Sequence, residues 1–212
     1  MPAKPNERQY RMLSVPLRTR SEGDGGSKKR FDTDYYVEGY ATTFNDPYVL
    51  FEDFDGTSYT EVISPDALRD ADMSDVIMQF NHEGKVLARM SNGTLAVEVD
   101  EHGLFIAADL SRSQAARDAY EEIQAGLTTR MSWAFTVAAD EYDRETHTTT
   151  ITRVKKVFDV SAVSLPADPN TEISARNLLN GVIEQSRKEL ARRKLALARA
   201  RAAMAIATSR KD

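Results

Sequence analysis

The sequence predicts a mainly β protein with helices, an α+β chain ending in a long helix. Three observations predict it. Short runs rich in Val, Ile, Leu and Phe recur through the first three-quarters of the chain. Gly-containing turn signals (Glu83-Gly84, Asn92-Gly93, His102-Gly103) separate them, which is the pattern of a barrel or sandwich. Beyond Ile173 the composition changes to a long Ala-, Arg- and Leu-rich stretch.

Taken in order, residues 10–18 (YRMLSVPLR) read as a strand, with Pro16 suggesting an edge position. Residues 19–30 form a Gly- and charge-rich loop that need not be ordered. Strands follow at YYVEGYATTF (35–44) and TSYTEVI (57–63). Ser64-Pro65-Asp66 then has the order of an N-cap, a first helical proline and a first-turn acid, which predicts a short helix over 65–71. Four strands come next, DVIMQF (75–80), KVLARM (85–90), TLAVEV (94–99) and GLFIAADL (103–110). Ala116, Ala119, Tyr120 and Ile123 share one helical face, with Gly126 as the cap. Strands resume at 128–140 and return through 148–165, after the polar turn EYDRETH. In the last stretch, 173–210, Leu178, Leu179, Val182, Ile183 and Leu190 can share a helical stripe. The chain thus divides into a flexible N-terminal segment with an edge strand (1–30), a β domain (31–172) and a basic helical tail (173–212).

Charge and composition exclude several classes of function. Residues 184–212 carry nine basic against three acidic side chains, and the remainder carries nineteen against thirty. A body of net charge −11 argues against gripping nucleic acid, because phosphate contacts need positive charge. The basic tail suits an acidic surface, including that of another copy. With no cysteine, thiolate nucleophiles, disulfides and Cys-ligated zinc are excluded. Residues 1–10 are polar, and no apolar run approaches the roughly 20 residues of a membrane span, so a soluble protein is expected. The acidic cluster Glu52, Asp53, Asp55 with Gly56 lacks the ligand spacing of a calcium loop. GxxxxGK, GxGxxG, HExxH and GxSxG are all missing.

One serine stands out. Strand alternation puts Trp133, Phe135 and Val137 on one face, presented to a core, and Ser132, Ala134 and Thr136 on the other. Ser132 is thereby held rigidly with small neighbours, as a nucleophile requires. A serine needs a base, and histidine is the usual one near neutral pH. Of three histidines, His102 and His147 lie in polar turns, whereas His82 closes the apolar run 75–80. A third group orients the imidazole. Asp159 fits if the hairpin through 141–147 closes, with His147 as its rival. The same patterns also suit an ordinary strand serine, a histidine at a strand end and a surface carboxylate.

The order of these elements adds a further reading. VEGYATTFND (37–46), YTEVISPDAL (59–68), VIMQFNHEGKVLARM (76–90), GLFIAADL, the helix ending at Gly126, RMSWAF (130–135) and FDVSAVSLPADPNT (158–171) occur in sequence. Over residues 35–175 the chain resembles the prohead, or capsid maturation, proteases of tailed phages of the HK97 type. That family is similar in fold to herpesvirus assembly proteases. The resemblance implies a β-barrel ringed by helices and a serine endopeptidase with nucleophile Ser132, base His82 and third member Asp159. It implies no cofactor or metal. Its implied partners are the major capsid protein with its scaffold segment, and the protease itself through self-cleavage, as a homo-oligomer inside the immature capsid in the host cytoplasm. No nucleic acid or membrane partner is implied. Asp159 stands where many relatives have Glu, and Met131 where a small residue is frequent. The alternative is a non-catalytic capsid-assembly or scaffolding module on the same fold.

Overall fold

The computed structural model describes residues 7–19 and 29–163. In chain order the described elements are β1 (Arg8–Pro16), β2 (Arg18–Thr19), β3 (Tyr36–Thr43), β4 (Tyr48–Glu52), β5 (Ser58–Ile63) and β6 (Ile77–Phe80). There follow β7 (Glu83–Arg89), β8 (Leu95–Val99), β9 (Gly103–Asp109), α1 (Gln114–Gln124), β10 (Arg130–Asp143) and β11 (Thr148–Val163). The expected long C-terminal helix and most of the 19–30 loop lie outside the described residues.

The strands form two sheets rather than the expected closed barrel. One has seven strands, with the path β1-β10-β11-β5-β4; off this path β6 pairs with β11, and β7 pairs with β6. The other has four, ordered β2-β3-β9-β8. Closure fails because the path ends in strands that do not pair with each other. β10 and β11 form a long antiparallel hairpin whose last pair is Asp143 with Thr148. β11 is long enough to take two parallel partners along one edge, β5 at Thr148–Ile151 and β6 at Asp159–Ala162. The chain from Arg8 to Thr19 passes from one sheet to the other. β1 pairs with β10, β2 pairs with β3, and the Leu17 N–H between them donates to the Thr129 carbonyl at 3.0 Å. Pro16, which has no N–H for a ladder, stands just before this switch.

One hydrophobic core joins both sheets. Val37 and Ala41 of β3, Ile106 and Ala108 of β9, and Trp133 and Phe135 of β10 are buried in it, with Ala116, Ala119 and Ile123 from the helix. The helix stops at the predicted Gly126, and Ser113, which the sequence reading did not single out, caps its start. The Ser113 hydroxyl accepts the Ala116 N–H at 3.1 Å, and Gly126 has φ 72°. Leu127 N–H to Glu122 O and Gly126 N–H to Ile123 O close the C-terminal motif that this glycine permits. It is one helix beside two sheets, so among the described residues no ring of helices surrounds the strands.

The short helix expected over 65–71 does not form. Ala67, Arg69 and Ala71 donate to carbonyls three residues back, giving successive turns. The Ala67 carbonyl accepts instead from Val154 N–H at 2.8 Å, so β11 takes the acceptor that a second helical turn would use. β4 is an addition to the expected strands. No helix among the described residues is long and apolar enough to cross a membrane.

Candidate active site

Ser132 lies on β10, between Met12 of β1 and Ser161 of β11 in register. Trp133 and Phe135 point the other way and stack at 3.8 Å between ring centroids, which anchors the strand in the core. The opposite face is more enclosed than alternation suggests. Ser132 is 3% exposed and Ala134 0%. That face carries the Asp159 carboxylate and the His82 ring, with Tyr10 edge-on to the ring at 4.8 Å.

His82 reaches this face from a turn and not, as strand parity suggests, from an extended strand. β6 ends at Phe80, which pairs with Glu83, leaving a two-residue connection. Asn81 and His82 have φ 50° and 61°, the left-handed pair of a tight primed hairpin turn. Glycine is the usual occupant of the second position, and a histidine there costs of order 1 kcal/mol. The Asn81 N–H donates to the Ala162 carbonyl at 3.0 Å, tying the turn to β11. β6 itself runs beside Asp159–Ala162, so the imidazole projects over the carboxylate.

Ser132, His82 and Asp159 form a continuous chain of hydrogen bonds. His82 Nε2 is 2.5 Å from Ser132 Oγ, and His82 Nδ1 is 2.5 Å from Asp159 Oδ1. Ser132 Oγ also donates to the Arg11 carbonyl at 2.9 Å. The hydroxyl has one proton, so its two acceptors correspond to two states of the ring. A neutral imidazole protonated on Nδ1 faces Asp159 and accepts the serine proton on Nε2. An imidazolium donates from both nitrogens, and the hydroxyl then turns to Arg11. Only in the first state can Nε2 accept the serine proton.

Asp159 is fully buried, and three donors meet its carboxylate. His82 and Ser161 Oγ (2.9 Å) use Oδ1, while Arg8 Nη2 reaches Oδ2 at 2.6 Å. A buried carboxylate needs such partners to remain charged. His147 sits elsewhere, at the hairpin end, where Nδ1 is 2.9 Å from the Tyr142 hydroxyl. His102 packs against Tyr40 at 4.5 Å. Asp53 and Asp55 accept N–H groups of their own loop.

Sequence reasoning missed three contributors from β1: the Arg8 guanidinium, the Tyr10 ring and the Arg11 carbonyl. Arg8 and Tyr10 share strand parity, which was the available signal. The strand that brings them to Asp159 is 151 residues away in sequence from it, counted at Arg8. A buried ion pair fixes β1 from its other face. Arg11 Nε and Nη2 meet Glu61 Oε1 and Oε2 at 2.6 and 2.8 Å, and the Tyr48 hydroxyl donates to Glu61. Burial acts to lower the Arg11 pKa, yet Glu61 holds it above the usual arginine range. Burial first, and the Glu61 charge second, push the Tyr48 phenol well above its ordinary value.

Comparison with known families matches residues 25–184 to caudovirus prohead serine proteases. The chain belongs to this family. It is 29% identical over 149 residues to the prohead protease of Enterobacteria phage HK97, a match covering 68% of this chain and 61% of that protein. The chain therefore spans less than two-thirds of that relative's length. No solved structure matches it.

Proposed function

We propose that this prohead-protease family member is a serine endopeptidase with Ser132 as nucleophile, His82 as general base and acid, and Asp159 as the group that orients His82. One observation carries the proposal, the unbroken hydrogen-bond chain from Asp159 through His82 to Ser132. Ser132 Oγ attacks the scissile carbonyl carbon while its proton moves to His82 Nε2. The same proton then passes to the amine as the C–N bond breaks, leaving an acyl-serine. Water, deprotonated by His82, releases the acid and restores the hydroxyl. Asp159 keeps the Nδ1 proton in place and stabilises the imidazolium without taking that proton.

The substrate assignment comes from the family and from the name of the HK97 relative. We assign the capsid protein and its scaffold segment, and the protease itself, cut inside the immature shell. Ser132 is 3% exposed, so a peptide reaches it only when groups over the site move aside. In this reading residues 31–172 form the catalytic domain, completed by β1 from the N-terminal segment. The basic tail, 173–212, targets the enzyme to the shell or is removed by self-cleavage.

Co-expression with the capsid protein of the same phage tests the proposal. Ser132→Ala and His82→Ala are expected to abolish processing while the wild type cleaves. Equal processing in all three would instead leave a capsid-assembly or scaffolding module on this fold.

A further inference from the structure

The match to the family begins at residue 25, yet part of the site comes from upstream of it, from β1. Three contacts converge there. Arg8 Nη2 is 2.6 Å from Asp159 Oδ2, the Tyr10 ring is 4.8 Å edge-on from His82, and the Arg11 carbonyl accepts from Ser132 at 2.9 Å. The Arg8 guanidinium also lies 4.4 Å over the Phe158 ring and 5.5 Å from the Tyr10 ring, so its position is defined by packing as well as charge.

We infer that Arg8 is a positioning residue for the His82–Asp159 pair, fixing the carboxylate's rotation and setting the pH range in which His82 can accept the serine proton. The inference rests on the proposed peptidase chemistry. Ser161 Oγ holds Oδ1 and Arg8 holds Oδ2, so Arg8 opposes any rotation that would carry Oδ1 away from His82 Nδ1. The guanidinium charge also offsets part of the carboxylate charge that the imidazolium feels. Without it, Asp159 holds the imidazolium more strongly, and a higher pH is needed to free Nε2 for Ser132.

The other charges around the pair are few. Glu83 follows His82 on an exposed stretch of β7. Lys156 on β11 lies 5.8 Å from the Phe158 ring and pairs with Asp72 at 2.7 Å. Tyr10 faces the ring from β1. Ile77 and Gln79 on β6, and Ser132 and Thr136 on β10, are uncharged. Among the described residues, Arg8 is thus the lysine or arginine in direct contact with the Asp159 carboxylate.

The test uses the full chain and a fluorophosphonate probe, which forms a covalent adduct with an activated serine and needs no knowledge of the natural substrate. Labelling rates are followed across pH for wild type, Arg8→Gln and Arg8→Lys, with Ser132→Ala as the blank. Arg8→Gln is expected to move the acidic limb to higher pH by at least about half a unit. Arg8→Lys, which keeps the charge, is expected to hold the limb near the wild-type position. Arg8 is 41% exposed on an edge strand, so the fold should tolerate both changes, and Arg8→Met is a second neutral variant if Arg8→Gln folds poorly. A slower rate with lowered melting temperature and an unmoved limb overturns the inference, as does no change at all. Absence of Ser132-dependent labelling in the wild type instead removes the peptidase proposal, and this inference with it.

Discussion

His82 is the residue whose placement the sequence disguised most. Read as the end of a strand, it belongs on a face with Met78 and Phe80. Positive φ at Asn81 and His82 turns it onto the Ser132 face. Asn81 was the available signal, since Asn is the usual first residue of such a turn, but the second position carries His in place of Gly. Ser132 and Asp159 were easier to place. Alternation fixes their faces, and closure of the hairpin sets Ala134 opposite Asp159 and Ser132 opposite Ser161. At this scale Asp159→Asn is the informative change. It keeps the shape but can hold the wrong imidazole tautomer, and a loss of about 10⁴ in rate is expected from comparable triads. His147→Ala, which loses contacts with Tyr142 and Tyr59 away from Ser132, is expected to stay near wild type. Labelling kinetics on the two variants check this, and a large loss only in His147→Ala would reverse the assignment.

Among the elements, those with strong local signals were legible and those decided by distant partners were not. Ser113 and Gly126 bracket the helix from within its own sequence. The 65–71 segment has equally good local signals, but Val154 takes the carbonyl that its second turn requires. β4 was hidden because its end, Glu52, was read with the acidic loop. β1 was legible as an edge strand, although nothing local showed that it borders the site. Its anchor is the Arg11–Glu61 pair, with Glu61 1% and Arg11 13% exposed. Glu61→Ala leaves that guanidinium buried without its counter-charge and is expected to cost about 3–5 kcal/mol in urea unfolding. Glu61→Gln, which still accepts hydrogen bonds, is expected to cost less. Equal stability of all three proteins would show that β1 is held otherwise.

For the whole molecule, period-two patterning separated the two faces of each strand but did not show which strands are neighbours, and on β10 both faces are buried. Closing a barrel and splitting into two sheets that share a core require the same alternation. The pairing of β11 with β5 and then β6 decides between them, and it is long-range. One buried phenol, Tyr36, and two half-buried ones, Tyr40 and Tyr48, give this arrangement a pH signature. Desolvation is the first cause pushing both Tyr36 and Tyr40 up to about 12, and desolvation followed by the Glu61 charge raises Tyr48 well above its ordinary value. In the unfolded chain these groups ionise near about pH 10. Raised folded-state values mean that their stabilisation is complete below that pH and is lost as pH rises toward about 12. Urea midpoints should therefore fall across this window, less steeply in Tyr36→Phe, and a flat profile would contradict the burial described. The central claim is that a neutral His82 activates Ser132. Its most direct test is peptide mapping of the fluorophosphonate adduct by mass spectrometry. One adduct on Ser132 in the wild type, absent in His82→Ala, is predicted. An adduct on another residue, or equal Ser132 labelling without His82, would contradict the account.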